Sequence, residues 1–192
     1  MKLLFSLLSS ALFALTVQNA IFTDGVGLSR VMRAANRPKT MGRYALITAL
    51  FTLLSATAGI LLNPVLQRNT TLITWRPFLL AACSAVLYLL AAGVGKKFLP
   101  KFYRKIEPVL APAALNTVVL SIPYYQRILK MGIWETIGFS LGTGAAFYLA
   151  VLILSGFLPA FLGVKAPGAF RGLPQIFLFI GIFSMAFLGF SG

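Results

Sequence analysis

Six windows of this chain hold no charged residue: Leu3–Thr23, Tyr44–Gln67, Pro77–Gly95, Pro108–Gln126, Thr136–Val164 and Gly172–Gly192. A helix rises about 1.5 Å per residue and a bilayer's hydrocarbon is about 30 Å thick, so roughly 20 apolar residues cross it. Each window meets that length. Their apolar residues follow one another without period-two alternation, which selects helices over lipid-facing strands. In hydrocarbon every backbone amide needs an internal partner, and a helix supplies one within its own segment. The pattern predicts an all-α membrane protein of six transmembrane helices in a single membrane domain over residues 1–192.

Composition supports this reading. Of 192 residues, 59% are hydrophobic and 10% charged, too little polar surface to clothe a soluble globule of this size. The net charge of +14 raises nucleic acid as a partner, but the placement of the charge argues against it. Twelve of the seventeen Lys and Arg fall in the odd-numbered loops: Arg30, Arg33, Arg37, Lys39 and Arg43, then Lys96, Lys97, Lys101, Arg104 and Lys105, then Lys165 and Arg171. The other side has Lys2, Arg68, Arg76, Arg127 and Lys130. The positive-inside rule then puts the odd loops in the cytoplasm and both termini outside. Basic loops beside apolar spans suit an anionic lipid surface, and no basic face interleaved with aromatics exists outside them. Met1-Lys2 followed by Leu3–Val17 has the outline of a secretory signal, but Gln18-Asn19-Ala20 is a poor cleavage site, so the segment is expected to be the first membrane helix.

The basic linker Lys96–Lys105 divides the spans three and three, into 1–97 and 104–192. An odd number of spans per unit turns the second unit upside down relative to the first, the layout of an inverted repeat. The first span of each unit is the irregular one. Span one runs into Gln18-Asn19, Thr23-Asp24-Gly25 and Gly27, while span four contains Pro108, Pro112, Asn116-Thr117 and Pro123. Proline removes an amide donor and short polar side chains offer the backbone alternative partners. Both spans are therefore expected to break near mid-membrane depth, making Asn19, Asp24 and Asn116 a candidate midplane polar site.

Other chemistry is limited. The chain has no histidine, which excludes a Ser-His-Asp triad or a histidine metal site. Asp24, Glu107 and Glu135 are its acids, and an acid drawn into a bundle interior is a functional candidate. Glu107 and Glu135 border spans and suit the interface. Cys83, the single cysteine, sits in an apolar stretch and is expected to be an inert packed thiol. Gly93-Val94-Gly95 and Gly142-Thr143-Gly144 lack the strand-to-helix setting of a phosphate loop. Gly138 and Gly142 form a small-xxx-small pair suited to close helix approach, either internal or with a partner. Trp75, Tyr103, Trp134 and Phe170 suit interfacial anchoring.

Pro167-Gly168-Ala169-Phe170-Arg171-Gly172, with Ser184-Met185-Ala186-Phe187-Leu188-Gly189-Phe190-Ser191-Gly192, closely resembles the end of the A-type subunit of the Rnf (Rsx) electron transport complexes. Val17-Gln18-Asn19, Gly27-Leu28, Asn116 and Gly138-Phe139-Ser140 fall in the same family's order and spacing. The related D and E subunits of the sodium-pumping NADH:quinone reductase share its fold. The resemblance implies six helices in two inverted three-helix units, in a bacterial or archaeal cytoplasmic membrane with both termini outside. It implies a role in ferredoxin–NAD electron transfer coupled to Na⁺ or H⁺ translocation, with partners that include an Rnf-E-like membrane subunit.

In that family, the A-type and E-type subunits each contribute two cysteines to a shared 2Fe–2S cluster, one from each broken helix. Here the corresponding positions are Ser29, after Gly27-Leu28, and Thr117, after Asn116. Hydroxyls are neutral at pH 7 and do not replace thiolates. The chain is thus expected to bind no cluster by itself and no metal, and to have no catalytic residue of its own. The family's acidic stretch after span five is replaced by Ser155-Gly156-Phe157. Two functions follow from these features: a membrane subunit of an Rnf-like translocase without its own cluster ligands, or a stand-alone cation or small-solute transporter on the same scaffold.

Overall fold

The computed structural model describes residues 1–37, 40–68, 70–163, 167 and 172–189. Eight helices run through them: α1 (Lys2–Leu15), α2 (Leu28–Ala35), α3 (Met41–Gln67), α4 (Thr70–Phe98), α5 (Pro100–Ala114), α6 (Thr117–Ile128), α7 (Ile133–Gly163) and α8 (Leu173–Leu188). The described residues contain no strand. Val164, Gly168–Arg171 and 190–192, which carry part of spans five and six and of the family-like terminal motif, lie outside the described residues.

Among the described residues, α3, α4 and α7 contain segments long and apolar enough to cross a membrane. The pair α5 and α6 makes a fourth if counted as one span, bent by 48°. The windows at the two ends of the chain give shorter apolar helices, α1 of 14 and α8 of 16 residues. The long helices tolerate internal prolines, Pro64 in α3 and Pro77 in α4. Their hydroxyls bond back onto the helix: Thr48 Oγ1 donates to the Tyr44 carbonyl at 2.9 Å, Ser84 Oγ to Leu80 at 3.0 Å and Thr143 Oγ1 to Phe139 at 2.8 Å. Such back-bonding lets hydroxyls sit in an apolar bundle without a stranded donor.

Burial ranks the long helices. The apolar stretch of α7 is 61% buried, that of α3 44% and that of α4 11%. Helix α7 is therefore the central element and α4 the peripheral one. Three glycines let neighbours close on α7. A Cβ at Gly138 would overlap the Leu7 carbonyl oxygen and Ser10 Oγ of α1, one at Gly142 the backbone of Ala11, and one at Gly144 the side chain of Ala49 on α3. The small-xxx-small pair thus serves an internal contact, with α1 as its occupant. Phe139, Phe147, Ala150 and Val151 fill the centre, and Tyr44 stacks on Phe147 at 5.4 Å between ring centroids. Helix α8 joins through an aromatic ladder in which Phe22 meets Phe183 at 5.1 Å and Phe187 at 4.8 Å.

One element departs from the charge-based reading. Arg76 does not sit in a loop before span three. Helix α4 starts at Thr70 and carries Arg76 inside it, where the side chain is only 4% exposed. The physical reason is a set of polar partners on α3 and α6.

Candidate functional site

The two breaks are built by asparagines. Helix α1 ends at Leu15, and residues 16–27 continue in turns. Asn19, 2% exposed, serves both sides of that end. Its Nδ2 donates to the Leu15 carbonyl at 2.9 Å, and its Oδ1 accepts from the amides of Ile21 and Phe22 at 3.1 and 3.2 Å. These bonds satisfy backbone groups that a helix end would otherwise leave unpaired. In the second break α5 stops at Ala114, Leu115 leaves helical geometry and Asn116 is extended (φ −79°, ψ 138°). Asn116 caps α6, its Oδ1 accepting from the Val118 amide at 3.4 Å. Tyr44 covers the end of α5 by donating its hydroxyl to the Pro112 carbonyl at 2.8 Å.

The breaks touch. Gly27 has φ +80°, a left-handed conformation that costs any residue with a Cβ. A Cβ there would run into Val118 Cγ2 and lie 3.1 Å from Asn116 Oδ1. Glycine thus lets the start of α2 rest directly on the start of α6. Asn116 is fully buried, and its Nδ2 has no hydrogen-bond partner among the described residues.

Asp24 is exposed and separate from both asparagine cap networks. Its Oδ2 accepts from Gln18 Nε2 at 3.0 Å and from the Tyr125 hydroxyl, tying the first break to α6. The structure therefore gives Asn19 and Asn116 backbone-capping roles, while Asp24 bridges from the turn segment to a helix of the second half.

Ser29 and Thr117 flank the contact between the breaks, and both are exposed. A 2Fe–2S cluster needs thiolate donors, and these positions offer alcohols. Cys83, half-buried in α4, is the chain's single cysteine. Among the described residues no group of three or more His, Cys, Asp or Glu side chains gathers at one point. Ser29 and Thr117 therefore bring no thiolate to this contact.

Sequence reasoning missed a polar network at the other end of α6. Arg76 Nη2 donates to Asn63 Oδ1 of α3 and, at 3.3 Å, to the Pro123 carbonyl of α6, while Asn63 Nδ2 donates to Gln126 Oε1 at 3.0 Å. Gly59 makes room, since a Cβ there would lie 2.7 Å from Gln126 Oε1 and 2.8 Å from Pro123 Cβ. The available signal was a lone arginine with apolar neighbours Ile73, Trp75 and Pro77–Ala82, a pattern that inside a span marks a paired, inward-facing charge.

An all-helical bundle with several membrane-length apolar helices, one of them bent at a buried asparagine, defines an integral membrane protein. A family model described as "Rnf-Nqr subunit, membrane protein" matches residues 7–192, and the chain belongs to that family. It is 26% identical over 188 residues to the A-type subunit of the ion-translocating oxidoreductase complex of Cereibacter sphaeroides, covering 98% of this chain and 95% of the relative. The A-type subunit of the proton-translocating ferredoxin:NAD(+) oxidoreductase complex of Clostridium ljungdahlii is 26% identical over 189 residues, 97% of each chain. Its counterpart in the ion-translocating oxidoreductase complex of Aromatoleum aromaticum is 28% identical over 188 residues, 97% of this chain and 94% of the relative.

Proposed function

We propose that this chain is the A-type membrane subunit of an Rnf-like ion-translocating electron transport complex of the ferredoxin–NAD kind, paired with an Rnf-E-like membrane subunit. In this reading it contributes scaffold and seam while other chains carry the electrons. The observation that carries the proposal is the meeting of the two breaks, Gly27 on Asn116 and Val118, in a chain that matches the family over residues 7–192. Alcohols at Ser29 and Thr117 support the cluster-free part. The order of elements supports an inverted repeat of two units, residues 1–97 and 104–192: a broken pair followed by two further helices, α1/α2 with α3 and α4, then α5/α6 with α7 and α8. The basic bias of the odd loops supports a multi-pass protein of the cytoplasmic membrane with both termini outside.

The test is purification of the complex through a tag on this chain, with partner identification, iron analysis and EPR. The proposal expects redox subunits to co-purify, and any cluster signal to persist in Ser29→Ala and Thr117→Ala variants. A signal lost in either variant overturns the cluster-free part. Absence of redox subunits, together with Na⁺ flux into liposomes by this chain alone that Asp24→Asn or Asn116→Ala abolishes, replaces the proposal with a transporter. An impermeant thiol reagent should reach a Lys2→Cys variant from the outside, as an impermeant antibody should reach a C-terminal epitope. Opposite sidedness of the two ends refutes the inverted layout.

A further inference from the structure

Helices α4 and α6, with Val26 of the first break, line an open cavity of about 530 Å³, within the roughly 300–1,000 Å³ typical of small-ligand sites. The pair runs antiparallel, because Arg76 of α4 reaches the Pro123 carbonyl of α6 while both Leu80 and Leu120 line the cavity. The lining is therefore mixed. Arg76, Tyr124 and Arg127 lie near the start of α4 and the end of α6, with Ile73 beside them; Leu80 and Leu120 continue the apolar wall, interrupted by the Thr117 and Ser121 hydroxyls.

The polar end carries two guanidinium charges, and no carboxylate among the described residues lines it. Arg76 has Nη2 bonded to the neutral Asn63 and to a backbone carbonyl, while its Nε is buried without a partner among the described residues. A buried cation with only neutral partners is costly in a low-dielectric surrounding, and an anion beside it lowers that cost. The apolar wall needs a different complement. A soluble anion would leave Ile73, Leu80 and Leu120 uncovered, and a neutral lipid would leave both charges unmatched. A ligand with an anionic head and a hydrocarbon tail meets both demands.

From this pairing of guanidinium groups with apolar wall we infer that the cavity is a binding site for one anionic phospholipid, its phosphate beside Arg76 and Arg127 and part of an acyl chain against Ile73, Leu80 and Leu120. The site adjoins, at its inner end, the seam between the breaks, where Val26 and Thr117 line it, while the two guanidinium groups lie towards the other end. It makes lipid a structural component of the α4–α6 contact, at the least buried of the long helices.

The test uses the full chain purified from vesicles of phosphatidylglycerol and phosphatidylethanolamine, with native mass spectrometry counting retained lipids. One phosphatidylglycerol should remain per chain. Arg127→Gln alters an exposed side chain and should weaken retention about fivefold, the effect of about 1 kcal/mol for one cation at a lipid phosphate. Arg76→Gln should weaken it further, but because it also disturbs Asn63, Arg127→Gln decides. Stabilisation of the melting temperature by phosphatidylglycerol, and not by phosphatidylcholine or inorganic phosphate, is the second readout. Unchanged retention in Arg127→Gln, equal retention of phosphatidylcholine, or equal stabilisation by free phosphate overturns the inference.

Discussion

Replacing Gly142 by alanine tests whether α1 is held by direct backbone contact with α7. A Cβ at this position lies 2.8 Å from Ala11 Cα and 2.9 Å from its carbonyl carbon, and closer still to the carbonyl oxygen, whereas ordinary contact starts at 3.4 Å. The three nearest atoms are all backbone, so no rotamer change relieves the overlap; α1 must retreat by more than 0.6 Å, which is the shortfall between 3.4 and 2.8 Å at Ala11 Cα alone, the carbonyl oxygen being closer. A radial gap of that size forfeits roughly a quarter to a half of each atom contact worth about 0.1–0.2 kcal/mol. Over about 50 contacts, the number made by one buried leucine, the loss is on the order of 1–5 kcal/mol. Alanine returns up to about 1 kcal/mol through its helix propensity, leaving a net destabilisation of about 2 kcal/mol, inside the usual overpacking range of about 1–3 kcal/mol. The control is Gly156→Ala on the same helix, where a Cβ meets nothing within 4 Å; there only propensity acts, and the change should be neutral or mildly stabilising. Unfolding of both variants in mixed micelles, followed by circular dichroism, gives the comparison. If Gly142→Ala unfolds within about 0.5 kcal/mol of Gly156→Ala, α1 is not seated on this glycine and the overpacking account fails.

The same measurement extends to two other sites. Asn63→Ala removes the acceptor of a buried guanidinium and should cost about 1.5–3 kcal/mol; a loss below about 0.5 kcal/mol would show that Arg76 finds an equal partner. Gly27→Ala forces a Cβ into a left-handed backbone and against Val118, costing at least about 2 kcal/mol. An unchanged melting temperature would mean that α2 can lift off α6 at no expense.

What could be read from the sequence followed from local chemistry. The break in span four falls beside Asn116 because an extended asparagine caps the following helix, and that signal is written in one residue. The break in span one falls after Leu15 for a similar reason, with Asn19 collecting the free backbone groups. Proline was the less reliable guide: Pro108, Pro112 and Pro123 lie within α5 and α6, and the chain breaks between the two helices instead. Arg76 was misplaced because its partners stand 13 and 47 residues away; a charge in isolation reads as a loop, and only packing shows that α3 and α6 hold it. The occupant of the Gly138–Gly142 face was equally out of reach. Spacing announces that something approaches, and the tertiary structure names α1.

The order in which the chain is made gives the seat of α1 a further meaning. Helix α1 is synthesised before α7, which begins at Ile133 and holds its seat, so α2 to α6 must leave the ribosome before its docking place exists. With 14 residues, α1 is roughly 21 Å long, short of the roughly 30 Å of hydrocarbon it would have to cross alone. Its final placement is therefore a late event in biogenesis, and until α7 arrives the N-terminal segment depends on the insertion machinery or the membrane interface to shelter it.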